Sequence, residues 1–323
     1  MSPASVATPV TTIVFGEALV DEFSTGPVVG GAPFNVARHL AAFMAPPLVI
    51  TRVGDDRNGL AVRAEFERFV MPETGLQLDP MEETGRVVVE RVNERGGQGS
   101  GHRFIILPRQ AYDFIDPQAA LASIAGMQAD IVYFGTLAQR DACSREALAA
   151  VLDATPAKRF LDLNLRRNQV DESIVGAALQ AADIVKVNEE ELQALFHWFF
   201  QIGPDDAPLS TEEVHAACRA LMDRFGLEGL LVTLGHRGSV YFGLQGDPIA
   251  HRDNPVPPFV IDTVGAGDAF SAIFLLGRAR GWPLPLTLAR ANEFAGAICA
   301  VTGAVPADMN FYDKWVARWR EPT

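Results

Sequence analysis

Short apolar runs alternate along this chain with longer stretches whose apolar residues return at helical spacing. Thr12–Phe15, closed by Gly16, is an apolar run of the kind a buried parallel strand requires. Asn35–Phe43 predicts a helix, Pro47–Arg52 a strand, and Asn58–Phe69 a second helix through Leu60, Ala64 and Phe66. The rhythm returns downstream. Asp130–Phe134, Arg159–Leu163 and Asp183–Val187 predict strands, preceded in turn by the helix-like Pro117–Gly126, Ser144–Ala154 and Ser173–Ala182. Thr211–Phe225 predicts a helix and Gly229–Leu234 the strand after it. Repeated strand–helix order predicts an α/β fold with a mostly parallel central sheet and helices on both faces.

Two regions break the rhythm. Leu19–Val29 and Arg86–Ile106 alternate polar and apolar residues like exposed strands. In the second, the run Val87 to Val92 is followed by the glycine-rich Gly96–Gly101 and then Arg103–Leu107, the pattern of a hairpin. Together, about 19–29 and 86–107 predict a small antiparallel β flap over the mouth of the main sheet. Decoration of a sheet edge would give the same pattern. No internal repeat, low-complexity tract or linker stands out, so a single α/β domain over residues 1–323 bearing this flap is the simplest organisation.

Composition narrows the partners. The chain has 323 residues, 48% hydrophobic and 21% charged, as globular proteins do. Its 27 basic and 40 acidic residues give a net charge of −13, which argues against nucleic acid as a partner. A local site can still bind one anionic metabolite against that field. Cys143, Cys218 and Cys299 show no CxxC spacing and are odd in number. A disulfide framework or zinc site is therefore not expected, and a reducing cytoplasmic location is. No basic residue precedes Arg38, so the charged start of a signal peptide is not expected, and residues 1–9 read as a loose tail. No stretch approaches the ~20 apolar residues of a membrane span, so no membrane partner is expected.

The chemistry concentrates in residues 261–276, Ile-Asp-Thr-Val-Gly-Ala-Gly-Asp-Ala-Phe-Ser-Ala-Ile-Phe-Leu-Leu. Gly265, Ala266 and Gly267 precede a long apolar helix candidate. Such a turn lets a ligand approach the backbone, and the helix start directs N–H groups at an anion. A P-loop would place Lys after its last Gly, and none is there. The chain has only Lys158, Lys186 and Lys314, so a phosphate here would be held mainly by backbone amides. Asp268 opens the helix. As an isolated feature it fits a helix cap worth ~0.5–2 kcal/mol or a general base beside a phosphate.

The surrounding motifs decide between these. Asp262-Thr-Val-Gly-Ala-Gly-Asp268 resembles the C-terminal signature of the ribokinase-like (PfkB-type) carbohydrate kinases, Asp-Thr-x-Gly-Ala-Gly-Asp. Gly30-Gly31-Ala-Pro-Phe-Asn35 resembles the family's N-terminal Gly-Gly motif, in the form common in fructokinases. Val53-Gly-Asp-Asp-Arg-Asn-Gly59, Asp162-Leu-Asn-Leu-Arg166, Asn188-Glu-Glu-Glu191 and Val232-Thr-Leu-Gly235 with Gly238 are similar to further family motifs, in the family's order. The resemblance spans nearly the whole chain.

It implies transfer of the γ-phosphate of ATP to a sugar hydroxyl. Asp268 becomes the base, with Gly265, Ala266 and Gly267 as the anion hole. Asp21, Gly30, Gly31 and Asn35 become sugar contacts, a carboxylate being able to accept from two hydroxyls. Asn188 and Glu191 would organise Mg²⁺ through water, as a cation that keeps several waters allows. Glu189 and Glu190 read as helix-start acids. Thr233, Gly235 and Gly238 would form the nucleotide-side loop and Asn292 would flank the adenine, although a buried, satisfied amide fits Asn292 equally well. Asp262 stands where some relatives bind a monovalent cation such as K⁺. The family usually carries Arg shortly before the Gly-Ala that matches Gly303-Ala304, and here Val301 and Thr302 stand there.

The motif forms, with Phe134-Gly-Thr-Leu-Ala138, resemble fructokinases most, and fructose is the expected sugar. Kinases of 2-keto-3-deoxygluconate usually place Tyr and Arg in the flap to hold a carboxylate; here the stretch is Phe104-Ile-Ile-Leu107. Phe104 and Arg166 are candidate sugar contacts. Ribokinase and nucleoside kinase activities remain alternatives within the family. A non-catalytic sugar or nucleotide sensor is a further one, against which Asp268 argues because a binder needs no base. A dinucleotide oxidoreductase lacks its G-x-G-x-x-G after the first strand. Flaps of this family often pair between subunits, so a homodimer through the flap is expected.

Overall fold

The computed structural model describes residues 12–23, 26–93, 100–203, 210–252 and 259–319, and the side chains of 90–103 are outside that description. The glycine-rich hairpin turn at 96–101 and the tail at 1–9 fall wholly or largely outside the described residues.

The chain opens with β1 (Thr12–Phe15), β2 (Leu19–Phe23), β3 (Gly26–Gly30), α1 (Ala32–Ala42), β4 (Leu48–Gly54), α2 (Arg57–Arg68) and β5 (Leu76–Asp79). It continues through β6 (Gly85–Asn93), β7 (Ser100–Ile106), α3 (Pro117–Ser123), β8 (Ile131–Phe134), α4 (Ala142–Ala154), β9 (Lys158–Asp162), α5 (Glu172–Gln180) and β10 (Ile184–Asn188). The C-terminal part holds α6 (Glu189–Phe200), α7 (Thr211–Phe225), β11 (Gly229–Thr233), β12 (Ser239–Gly243), β13 (Ile249–His251), α8 (Ala266–Ala279), α9 (Leu284–Ile298) and α10 (Asp313–Trp319).

Among the described residues the main sheet runs β13-β12-β11-β10-β9-β8-β1-β4-β5. From β11 to β5 every pairing is parallel; β12 and β13 add an antiparallel edge. Alternation of side chains across the strands divides the core. Ile13 and Phe15 face a cluster with α4, α5, α6 and α7. Val14 faces a second cluster with α1, α2, α8, α9 and α10. This two-sided burial explains why β1 and β8 read as uninterrupted apolar runs.

Sequence order reverses at β1. The chain steps outward from β1 to β4 and β5, then returns to β8 on β1's other side and steps away to β11. Such a switch point leaves a crevice beyond the C-terminal strand ends, where ligands of open α/β sheets bind.

A second sheet, β3-β2-β6-β7, forms the expected flap. Its two hairpins, β2–β3 and β6–β7, are antiparallel, and its central pair, β2–β6, is parallel. The parallel pair has a simple origin: β2 follows β1 and β6 follows β5, so both leave the main sheet from the same strand ends. Helix α1 begins earlier than its apolar spacing suggests, because Pro33 in the first turn suits a helix start. Asn35 therefore sits inside the first turn.

Candidate active site

A cavity of about 1060 Å³ lies over the switch point, under the flap. Residues from the ends of β1, β9, β10 and β11, from α1, and from the starts of α6 and α8 line it, and Val87, Phe104 and Ile106 of the flap cover it.

Helix α8 sets the centre. Every residue from Ala269 to Gly277 is buried, so the helix is apolar all round and fixed between its neighbours. Each fully buried Phe contributes roughly 1.5–3 kcal/mol, which anchors the helix start by the helix's own packing. Gly265 caps it with φ +79°, and a Cβ there would lie 2.4 Å from Ala304 Cα. Only glycine meets both conditions. The N–H of Ala266 turns back to the Thr263 carbonyl at 3.3 Å. Those of Gly267 and Asp268 belong to the first turn, where an α-helix offers no carbonyl partner, and both residues line the cavity.

Asp268 does not cap the helix: α8 has no side-chain cap. Its Oδ2 instead accepts from Asn35 Nδ2 at 2.7 Å. Burial raises its pKa; the Asn35 hydrogen bond opposes that rise, Asp162 adds to it, and Lys186 and Arg166 oppose it. The result is a half-buried carboxylate held beside first-turn N–H groups, the arrangement a base next to an anion needs.

The motifs assign Lys186 no role. It proves to be a buried floor residue of the cavity, 6% exposed, with Nζ 3.2 Å from where a Gly267 Cβ would stand. Nζ donates to both oxygens of Asp162, at 3.0 and 3.1 Å. Tyr133 and Ser271 also donate to Asp162 Oδ2, at 3.2 and 2.7 Å. Burial opposes the ammonium charge, yet Asp162, Glu191 and Asp268 hold its pKa above the ordinary value. The anion cradle thus has a fixed cation beside it, added to the backbone amides expected to hold a phosphate. The sequence signal was a lysine inside the apolar run Ile184-Val-Lys-Val187.

At the flap end, Asp21 of β2 lines the cavity beside Gly31, Asn35, Phe104 and Arg166. Burial pushes its pKa up to about 6, against Arg166 and Arg38 and with Asp268. Gly31 has φ +99°, and a Cβ there would strike the Glu17 carbonyl at 2.5 Å. Gly30 does not line the cavity; its backbone lies against Asp21, where a Cβ would approach Oδ2 to 2.6 Å. Glu17, a residue the motif reading passed over, is 4% exposed and lines the same end. Burial raises its pKa to about 7, opposed by its own backbone N–H and by Arg166.

At the opposite end lie Thr233, Gly235, Gly238 and Asn292. Asn292 is buried and satisfied as well as lining: its Nδ2 donates to Ser239 Oγ and the Leu288 carbonyl, both at 2.8 Å. Asn188 and Glu191 line the cavity as the two halves of a capping box on α6. Asn188 Oδ1 accepts from Glu191 N, and Glu191 Oε2 from Asn188 N, each at 2.8 Å. Glu191 Oε1 accepts from Leu165 N at 2.8 Å. Each of these oxygens keeps one lone pair for a metal-bound water, so the pair fits an outer position around Mg²⁺. Asp262 lies off the cavity. Its carboxylate accepts from Val264 N at 3.0 Å and Gly303 N at 3.3 Å, joining the segment before α8 to the one after α9.

The model of the pfkB family of carbohydrate kinases matches residues 7–309. A fructokinase from Klebsiella pneumoniae is 30% identical over 279 residues, covering 82% of this chain and 83% of the relative. A fructokinase double mutant from Vibrio cholerae O395, solved with fructose, ADP and a potassium ion, superposes with a TM-score of 0.73 at 25% identity, over 93% of this chain and 95% of that one. A 2-dehydro-3-deoxygluconokinase from Thermotoga maritima shares the fold at 14% identity, with a TM-score of 0.75 over 95% of this chain and 99% of that one.

Proposed function

The chain belongs to the pfkB family of carbohydrate kinases, and on that premise we propose that it transfers the γ-phosphoryl group of ATP to a hydroxyl of fructose, with Asp268 as general base. One observation carries the mechanism. The Asp268 carboxylate stands 2.7 Å from Asn35 Nδ2 at the start of α8, in the cavity that Asp21, Gly267 and Lys186 also line.

Each group then has a task. Asp21, Gly31 and Asn35 bind the sugar and direct one hydroxyl at Asp268. Asp268 takes that hydroxyl's proton as the sugar oxygen attacks the γ-phosphorus, and the bond from that phosphorus to the β,γ-bridging oxygen breaks, releasing ADP. The N–H groups of Gly267 and Asp268, with the ammonium of Lys186, stabilise the charge on the transferred phosphoryl oxygens. Thr233, Gly235, Gly238 and Asn292 receive the nucleoside end. Mg²⁺, held by Asn188 and Glu191 through water, would neutralise phosphate charge. Asp262 stands where some relatives take a monovalent cation, but Val301 and Thr302 depart from the family pattern beside it, so no K⁺ requirement is part of this proposal. The flap excludes water from the phosphoryl group.

Charge at the flap end favours a neutral sugar over a sugar acid or sugar phosphate. Three carboxyl groups, Glu17, Asp21 and Asp268, gather there against the two guanidinium groups of Arg166 and Arg38. The fructokinase relative and the fructose-bound neighbour favour fructose. ADP release from a panel of fructose, ribose, 2-keto-3-deoxygluconate and nucleosides tests this. Fructose is expected to give the highest kcat/KM; activity on another member with none on fructose would overturn the fructose assignment. Tight binding of sugar with no ADP release from any member would favour a sensor instead.

A further inference from the structure

Asn35 and Arg38 lie one turn apart on the same face of α1. Arg38 is 4% exposed, and both terminal nitrogens of its guanidinium are engaged while Nε is buried without a partner. Nη1 donates to Glu65 Oε2 at 2.8 Å, and Nη2 donates both to the Val29 carbonyl at 2.8 Å and to Asn35 Oδ1 at 2.6 Å. A guanidinium has donors and no acceptor, so the end of the Asn35 amide facing it must be the oxygen. The amide nitrogen is thereby turned toward Asp268, to which it donates at 2.7 Å. The reverse orientation would set the amide oxygen against a carboxylate and the amide nitrogen against a cation.

We propose that Arg38 is a positioning residue for phosphoryl transfer: it locks the Asn35 amide so that its nitrogen holds Asp268, and it ties that lock to the flap through Val29. This rests on Asp268 being the base. Val29 belongs to β3, which pairs with β2, the strand that carries Asp21. One nitrogen of Arg38 therefore spans the sugar-binding sheet and the residue that orients the base. A displaced β3 pulls on the same group that fixes the amide.

The charged and titratable groups around Asp268 come from several elements. Asp162 of β9, Lys186 of β10, Arg166 of the loop after β9, Glu17 of the loop after β1, Asp21 of β2 and Tyr133 of β8 all act on it electrostatically. Asn35 is the group whose contact with the carboxylate Arg38 orients. Glu65 would not be stranded by loss of Arg38, because Arg68 Nη1 also donates to its Oε1 at 3.0 Å.

The test uses the full chain, with ADP release on the sugar that the panel identifies, measured across pH for Arg38→Met, Arg38→Lys and Asp268→Asn. Thermal melts establish that each variant is folded. Both Arg38 variants are expected to lose at least about tenfold in kcat, as misplacement of a reacting group does. The acidic limb of their kcat profile should move to higher pH, because Asp268 loses the hydrogen bond that opposes its raised pKa. KM for ATP should stay unchanged. If Arg38→Met fails to fold, Arg38→Lys and Glu65→Gln, which loosens the guanidinium, decide by the same readouts. Wild-type kcat and acidic limb in the folded variants would overturn the proposal, since a merely structural Arg38 alters the melt alone. If Asp268→Asn itself keeps turnover, the base assignment has failed. If Asp268→Asn is inactive while the Arg38 variants match wild type, the positioning role alone has failed.

Discussion

Lys186→Met separates what a buried ion pair does for the fold from what it does for the reaction. The ammonium is 6% exposed and its partner Asp162 is 1% exposed, with both Nζ–oxygen distances near the hydrogen-bond optimum at 3.0 and 3.1 Å. Removing one partner of such a pair typically costs roughly 3–5 kcal/mol, chiefly because the other charge is stranded. Here Tyr133 and Ser271 still donate to Asp162, so the low end, about 3 kcal/mol, is expected. At the site, Nζ adjoins Gly267. Loss of a fixed charge-stabilising group aimed at the transferred phosphoryl is worth about 10²–10³-fold in kcat. The double variant Lys186→Met with Asp162→Asn removes the stranded carboxylate without restoring the cation. Urea unfolding should show it regaining most of the lost stability, while ADP release per folded molecule stays as low as in the single variant. Recovery of wild-type kcat in the double variant would refute the electrostatic role and leave Lys186 a structural ion.

Two other measurements follow from the same geometry. Asp21, whose pKa burial pushes up to about 6, is ionised above that value, and in the proposed role it then accepts from two sugar hydroxyls. KM for the sugar should therefore rise as pH falls through about 6, and Asp21→Asn should lose that dependence; a variant that keeps it would contradict the assignment. His39 is fully buried between Tyr312 Oη and the Ala304 carbonyl, and burial, with Arg38, lowers its pKa from 6.5 to about 3. Its folded value lies below its unfolded one, so the unfolded chain binds the extra proton. Its contribution is complete above pH 6.5 and declines toward pH 3, by about 1.4 kcal/mol per pH unit. Glu17 and Asp21, with raised values, act in the opposite sense over part of that range. His39→Gln keeps a donor for the Ala304 carbonyl and should remove one proton's worth of slope from urea midpoints across that range; an unchanged slope would refute it.

The parallel core was legible because strands buried on both faces leave uninterrupted apolar runs. The edges were not. β5 reads Leu-Gln-Leu-Asp and is half-exposed, and the β12–β13 hairpin carries little periodicity because it flanks the sheet. Asp268, Asp21, Asn35 and the glycine cradle were legible through their motifs, and the structure brings them to one cavity. Spacing alone could not show that Gly30 backs Asp21 from outside the cavity, or that Asp262 lies off it. Asn188 and Glu191 read as metal organisers, yet their nearest partners are each other's backbone, since Asn-x-x-Glu is also a capping box. Lys186 and Arg38 were given no role for a common reason. Their charge is spent on buried partners brought together by the fold, Asp162 across neighbouring strands and Glu65 and Val29 across elements. A linear pattern records neither.

The central claim is that Asp268 serves as a base, not as a helix cap. The direct measurement is single-turnover ADP formation by Asp268→Asn at saturating sugar, beside an ATP titration of the same variant. Asn keeps the size of the side chain and cannot take a proton. The chemical step should slow by about 10²–10⁴-fold, with the melt and the affinity for ATP close to wild type. Near-normal turnover by a folded Asp268→Asn would contradict the account.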